Sequence, residues 1–229
     1  MKPLIAAFAL LALAVAAPAR GADVKPWGSL QLGAGPYSPN IDSEFASASP
    51  YRDVFGGSPA AMFRVQLSRA LWTGNGTLEL GFRTGFYAKS GHAVSSIDGS
   101  QTADRTSFNV VPTSIVVTYR ADQLWDKMGI PLAPYGTIAI ERYNWWTTKN
   151  DKWMESGATN GYSGTLGLAL VLNAVDPKAA RELESEIGIH ATSLYFDVTW
   201  GKVNDFGSKK SWDLTARKLL WSGGLMFVY

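Results

Sequence analysis

The chain has 229 residues, a formal net charge of +2 and no cysteine. Without cysteine it is neither a disulfide scaffold nor the holder of a thiolate metal or catalytic site. Near-neutral charge argues against a nucleic-acid partner, which needs a concentrated basic surface, and two histidines leave little for a transition-metal site.

In chain order, the first element is a leader. Lys2 supplies a positive start, residues 5–16 are an apolar run, and Ala17-Pro18-Ala19 is a small-residue cleavage site. The run is too short for a spanning helix. Residues 1–19 therefore read as an export signal, and the mature chain is expected to start at Arg20, with no cysteine there for a lipid anchor. Loss of Lys2 lowers the net charge by one. Residues 20–229, about 210 in number, suit one domain. They contain no further apolar stretch of spanning-helix length, while the chain carries nine Trp, 23 Gly and 12% aromatic residues at a mean hydropathy of −0.02. That composition fits either a soluble β-sandwich or a barrel with lipid outside and water inside.

Period-2 alternation then recurs along the chain. Residues 27–35 set Leu30, Leu32 and Ala34 against Ser29 and Gln31. Residues 60–72 set Phe63, Val65, Leu67 and Leu71 against Arg64, Gln66 and Ser68. The turn Thr73-Gly74-Asn75-Gly76 is rich in residues that tolerate positive φ. After it, residues 77–89 set Leu78, Leu80, Phe82, Thr84 and Phe86 against Glu79, Gly81, Arg83 and Gly85. Pairing Trp72 with Thr77 brings Leu67 opposite Phe82, Phe63 opposite Phe86 and Gln66 opposite Arg83, with both apolar sets on one face. The signal continues over residues 108–119, 135–146, 162–172, 191–201 and 214–229. In the last three, Leu166, Leu168 and Leu170 oppose Ser163, Thr165 and Gly167. Leu194, Phe196, Val198 and Trp200 oppose Ser193, Tyr195, Asp197 and Thr199. Trp221, Leu225, Phe227 and Tyr229 share a face.

These are eight strands, most near the 9–11 residues that cross a bilayer when tilted. Their polar faces are small, as a narrow lumen requires. The expected fold class is all-β: a transmembrane antiparallel up-and-down barrel, with short periplasmic helices in two connections. The end of the chain supports it. A polar residue, Gly224, and aromatics at Phe227 and Tyr229 resemble the C-terminal signal by which the outer-membrane assembly machinery docks the last strand. With both termini periplasmic, residues 36–59, 90–105, 147–160 and 202–211 are expected as extracellular loops. The turn at 73–76 and helices within 121–129 and 176–188 are expected on the periplasmic side. The 176–188 helix has Asp176 as N-cap, Pro177 at its first position and Gly188 at its stop.

Three motifs resemble an outer-membrane β-barrel family found mainly in myxobacteria. They are Gly35-Pro36-Tyr37-x-Pro39-x-Ile41-Asp42-Ser43-Glu44-Phe45, Gly129-Ile130-Pro131-Leu132-x-Pro134-Tyr135, and Asp176-Pro177-Lys178-Ala179-Ala180-Arg181 with Glu186-Ile187-Gly188-Ile189. The resemblance covers nearly all of the mature chain. It implies an outer-membrane barrel of a Gram-negative bacterium and no activity.

The chemistry is sparse. Arg64, Gln66, Glu79, Arg83, Glu141 and Asp197 are predicted to point inward. In an eight-stranded barrel, side chains can fill the lumen. Charges of both signs there are expected to pair, because an unpaired buried charge is costly. A structural or surface-interaction role follows, with a narrow channel for ions or small solutes as the alternative. A lipid-modifying enzyme would need His92 with Ser90, Ser95 or Ser96 and Asp98 or Asp104; His190 lies at the other end. Asp42 with Glu44, or Asp98 with Asp104, lacks a calcium-binding pattern, and neither a cofactor nor a metal is expected. Trp27, Trp72, Trp145, Trp146, Trp200 and Trp221 are read as an aromatic girdle at the headgroup level. Membrane lipid, lipopolysaccharide and the assembly machinery are the expected partners, and the chain is expected to be a monomer.

Overall fold

Strand pairing in a computed structural model, which describes residues 26–95, 100–208 and 210–229, passes through eight strands and returns to the first. The strands are β1 (Gly28–Tyr37), β2 (Ala60–Gly74), β3 (Gly76–Val94), β4 (Gln101–Arg120), β5 (Leu132–Lys149), β6 (Lys152–Val171), β7 (Ala191–Lys202) and β8 (Leu220–Val228). Every neighbour is antiparallel, and closure runs from Ser29 opposite Val228 to Ala34 opposite Gly223. Three helices sit in the connections: α1 (Pro50–Phe55), α2 (Gln123–Asp126) and α3 (Pro177–Ile187). The leader read at residues 1–19 lies outside the described residues.

Alternation sorts the side chains. Ile115, Ile138, Ile140 and Leu166 point outward and are 62%, 68%, 68% and 62% exposed, while Ser114, Thr118, Thr137 and Thr165 on the same strands are buried. A soluble sandwich would hide the large apolar set and expose the small polar one. This chain does the reverse, and its outward apolar surface runs over adjacent strands far beyond the patch size of a soluble monomer.

The registers expected for the β2–β3 hairpin are present: Leu67 faces Phe82, Phe63 faces Phe86 and Gln66 faces Arg83. Trp72, however, lies opposite Leu78 rather than Thr77, because the register shifts between Ala70 and Trp72. A bulge admits one extra residue there and leaves the rest of the ladder intact. The turn itself closes over Asn75, with Gly76 at φ 122°.

Two hairpins differ from expectation. Residues 90–105 and 147–160 are mostly strand: β3 reaches Val94, β4 starts at Gln101, and β5 turns directly into β6 through Asn150 and Asp151. Those two residues have φ 48° and 63°, the left-handed pair of a two-residue hairpin turn. The wall thus extends well past the apolar band on four strands, β3 to β6. Conversely, residues 214–219 are not strand. They cross the mouth of the barrel, with Leu214 fully buried and Ala216 bridged to Pro39.

The helix at 176–188 forms as expected. The Asp176 side chain accepts from the Lys178 and Ala179 amides at 3.1 and 3.0 Å, and Gly188 closes it at φ 72°. The segment at 121–129 makes one turn, α2, where two were expected. The turn at Ile41–Glu44 and helix α1 lie in a stretch read as loop; α1 begins at Pro50 and stops after six residues at Gly56, too short for periodicity to register.

Candidate functional site

The lumen is built from inward positions of all eight strands and has two storeys. Toward the end that holds both termini, called the terminal end here, the wall supplies charge. Arg120 donates to Glu79 at 3.1 Å and to Asp122 at 2.5 Å, and Ser29 donates to Glu79 at 2.6 Å. Thr77 donates to Asp122 at 2.5 Å. Arg120 and Asp122 fall outside the set read from sequence, whose fourth strand ends at Tyr119. The parity that puts Ser114 and Thr118 inward also puts Arg120 inward, so the signal was available.

At mid-height Arg83 meets Glu141 at 2.8 Å, and Glu141 also accepts from Ser163 at 2.5 Å and from Ser114. Arg64 approaches Asp197 at 3.5 Å and donates to Ser222, which itself donates to Asp197. Tyr135 donates to Asp197 at 3.0 Å. Gln66 donates to Ser68 and Thr118 at 3.1 and 3.3 Å. Arg64, Gln66, Glu79, Arg83, Glu141 and Asp197 all face the lumen and fall in four groups. Glu79 belongs with Arg120 and not with Arg83 or Arg64.

Toward the opposite, distal end the lumen changes character. Tyr37, Met62, Tyr87, Phe108, Val110, Tyr143, Trp145 and Leu214 form one buried apolar cluster. The expectation of a polar lumen meets paired charge over the terminal half, beside a small buried apolar group around Tyr135 and Met226, and is corrected for the distal half. Trp145 is corrected with it. It points inward, is 8% exposed, and stacks on Trp212 with ring centroids 4.1 Å apart and an interplanar angle of 11°. Neighbours on a strand face opposite ways, so Trp145 and Trp146 cannot both serve an outer girdle. Gly157 faces Trp145 across the ladder, and a Cβ there would lie 2.6 Å from the Trp145 ring.

Two connections close over this cluster as a lid. The Tyr37 hydroxyl donates to the Leu214 carbonyl at 2.5 Å, and the Tyr51 and Tyr87 hydroxyls are 2.6 Å apart. Asp42 accepts from the Tyr51 amide at 2.8 Å and lies 3.8 Å from Arg217. Glu44 accepts from the Asp213 amide at 2.6 Å, and the Arg217 amide donates to the Ser38 carbonyl at 3.0 Å. The Pro36-to-Phe45 motif therefore fastens β1 to the segment before β8. Its two carboxylates are committed to backbone amides.

On the outer surface, Trp72, Trp200 and Trp221 are 51%, 48% and 51% exposed. Trp146 stacks on Trp153 at 5.7 Å, and Trp27 packs against Tyr229 at 4.6 Å. In the last strand, a Cβ on Gly224 would lie 1.9 Å from the Leu32 carbonyl oxygen, and Phe227 faces Leu30. His92 is not in a loop; it is an exposed residue of β3 opposite Arg105. Of its proposed partners, Ser90 is bonded to Ser107 at 2.9 Å, and Asp104 is held by Lys149 and Asn150, each at 2.8 Å. Ser96 and Asp98 lie outside the described residues. His190 at the terminal end meets Glu184 at 3.1 Å. Among the described residues no group of three or more His, Asp or Glu is arranged to hold a metal.

The pairing defines an eight-stranded antiparallel up-and-down barrel with an occupied lumen. No protein-family model matches the chain, and no curated protein matches it. Solved structures similar to it include neisserial surface protein A, at 11% identity over 89% of this chain and 96% of that one, TM-score 0.46. The N-terminal β-barrel domain of Pseudomonas aeruginosa OprF is 11% identical over 90% and 100%, TM-score 0.39. Ail, the attachment invasion locus protein of Yersinia pestis, solved with the heparin analogue sucrose octasulfate, is 11% identical over 89% and 99%, TM-score 0.37. The architecture rests on the strand pairing itself, not on these distant likenesses.

Proposed function

We propose that this chain is a monomeric barrel of a Gram-negative outer membrane with a sealed lumen, and that its role is structural or is exercised at its exposed end. The observation that carries this reading is the double obstruction of the lumen. Paired charges fill the terminal half and an aromatic cluster under a bonded lid fills the distal half. The outward apolar band supports insertion in lipid, since a closed barrel satisfies every backbone group in the wall. Closure of β1 on β8 pairs the strands around the full ring within the apolar band, so no sheet edge is open there to recruit a second copy.

In this reading the terminal end faces the periplasm and the lid faces outward. Residues 1–19 direct export, Gly224, Phe227 and Tyr229 present the last strand to the assembly machinery, and Trp27, Trp72, Trp146, Trp200 and Trp221 border the lipid. Membership of the myxobacterial-type family belongs to the proposal and rests on the three connecting motifs. A channel would require the lid and the ion pairs to part together. A His92-centred enzyme built on Ser90 or Asp104 would require that residue to leave its present hydrogen bonds. The test is to refold residues 20–229, verify folding by a heat-dependent shift in gel mobility, and compare conductance of the wild type with Arg83→Gln. A folded, silent barrel supports the sealed reading; discrete conductance in the wild type refutes it.

A further inference from the structure

The barrel wall is incomplete at its distal rim. β7 runs to Lys202, whereas β8 begins at Leu220, whose partner is Thr199. The last residues of β7 therefore pair with β6 on one side and lack β8 on the other. The segment before β8 folds across this notch: the Val203 amide donates to the Thr215 hydroxyl, and the Leu214 amide to the Val203 carbonyl. A cleft of about 240 Å³ remains, where the outward Tyr162, Trp200 and Leu219 meet Arg217 and Lys218.

The cleft is graded from apolar to cationic. Trp200 and Leu219, 48% and 64% exposed, continue the apolar band. Lys202 is the next outward position beyond Trp200. It and Lys218 are exposed and make no ion pair among the described residues, and Arg217 is exposed and forms a long ion pair with Asp42, at 3.8 Å. Unpaired cations just beyond an aromatic border attract anionic headgroups, and guanidinium and ammonium groups both bind phosphate.

We propose that this notch binds the phosphate-bearing headgroup of an outer-leaflet lipid. Arg217 and Lys218 hold the phosphate, Lys202 flanks it, and Trp200 and Leu219 lie against the apolar part. The proposal rests on the membrane location proposed above. It predicts that the barrel, folded in micelles, retains bis-phosphorylated lipid A in preference to its dephosphorylated form when bound lipid is counted by native mass spectrometry. Lys202→Gln/Lys218→Gln should weaken retention of the phosphorylated form on the order of ten-fold or more, and Arg69→Gln, an exposed cation on β2 toward the terminal end, should leave it unchanged. Equal retention of the two lipids, equal loss in Arg69→Gln, or displacement by inorganic phosphate alone would each overturn the lipid assignment. Folding is read on the same samples by the heat-dependent mobility shift. A chain that never folds overturns the membrane location too, whereas a folded barrel indifferent to phosphate overturns this site alone.

Discussion

Arg120 joins Glu79 and Asp122 with its side chain 1% exposed. Removing one partner of such a cluster leaves charge without compensation, at a cost of about 3–5 kcal/mol. Arg120→Met is expected to lower the unfolding free energy, read from denaturant titration of the folded barrel, by that amount, and adding Glu79→Met should recover part of it. Full tolerance of the single change would contradict the pairing. Nearby, burial and the Asp122 carboxylate push the Asp126 carboxyl above its ordinary range. A carboxyl raised in the folded state binds protons more readily there than in the unfolded chain, so its contribution to stability falls as pH rises through the folded pKa. Asp126→Asn should therefore exceed the wild type in stability at neutral pH, and the gap should close as pH falls. A gap that widens on acidification would reverse that sign. At this scale the sequence was legible wherever parity applied. Arg64, Gln66, Glu79, Arg83, Glu141 and Asp197 face inward because a one-residue slip would move the whole apolar set off the outer face. Arg120 escaped because a boundary was set one residue early, and element ends are where alternation gives least information.

At the scale of elements, strand existence followed from the pattern and strand length did not. Above the apolar band the two faces of β4, β5 and β6 no longer differ cleanly: Trp153 and Met154 are exposed, while Thr147, Thr148 and Glu155 line a cleft with Phe45, Phe55 and Phe108. Residues such as Thr147, Thr148 and Ser156 then carry no alternation to mark them as strand. The Asn150-Asp151 turn was the remaining clue, and it lay inside a stretch already read as loop. Trp145 shows the same limit from within. Its indole is held by Trp212 from the segment before β8, a contact set by the path of a connection and not by any local pattern. Trp145→Ala is expected to cost about 3–5 kcal/mol as a buried aromatic deletion, while Trp153→Ala, 63% exposed, should cost far less. Similar losses at the two positions would contradict the inward placement of Trp145. The lid makes a separate forecast. Asp42→Ala frees the Tyr51 amide that starts α1, a loss comparable to a helix cap, about 1 kcal/mol. Limited proteolysis should then cut within residues 38–59 before the barrel loses its heat-dependent mobility shift. Unchanged protection would mean that the lid does not depend on Asp42.

For the whole molecule, the decisive feature is that ring closure and lumen filling arise from one alternation. Small inward residues on β6 to β8, among them Ser163, Thr165 and Ser193, leave room for Arg64 on β2 to reach Asp197 on β7 and for Arg83 on β3 to reach Glu141 on β5, whereas Arg120 meets Glu79 across the adjacent β3–β4 ladder. The polar set is legible in the alternation, whereas the Arg64–Asp197 and Arg83–Glu141 pairs are not, because pairing between non-adjacent strands depends on closure, which no single hairpin reveals. The same closure gives the sealed reading its most direct test. Residues 20–229 are refolded, their folding is verified by gel mobility, and single-molecule conductance is recorded across a planar bilayer. The account predicts a folded protein that passes no current, with Arg83→Gln altering stability and not conductance. Reproducible conductance steps in the wild type, changed in selectivity by Arg83→Gln, would contradict it and make the lumen a pore.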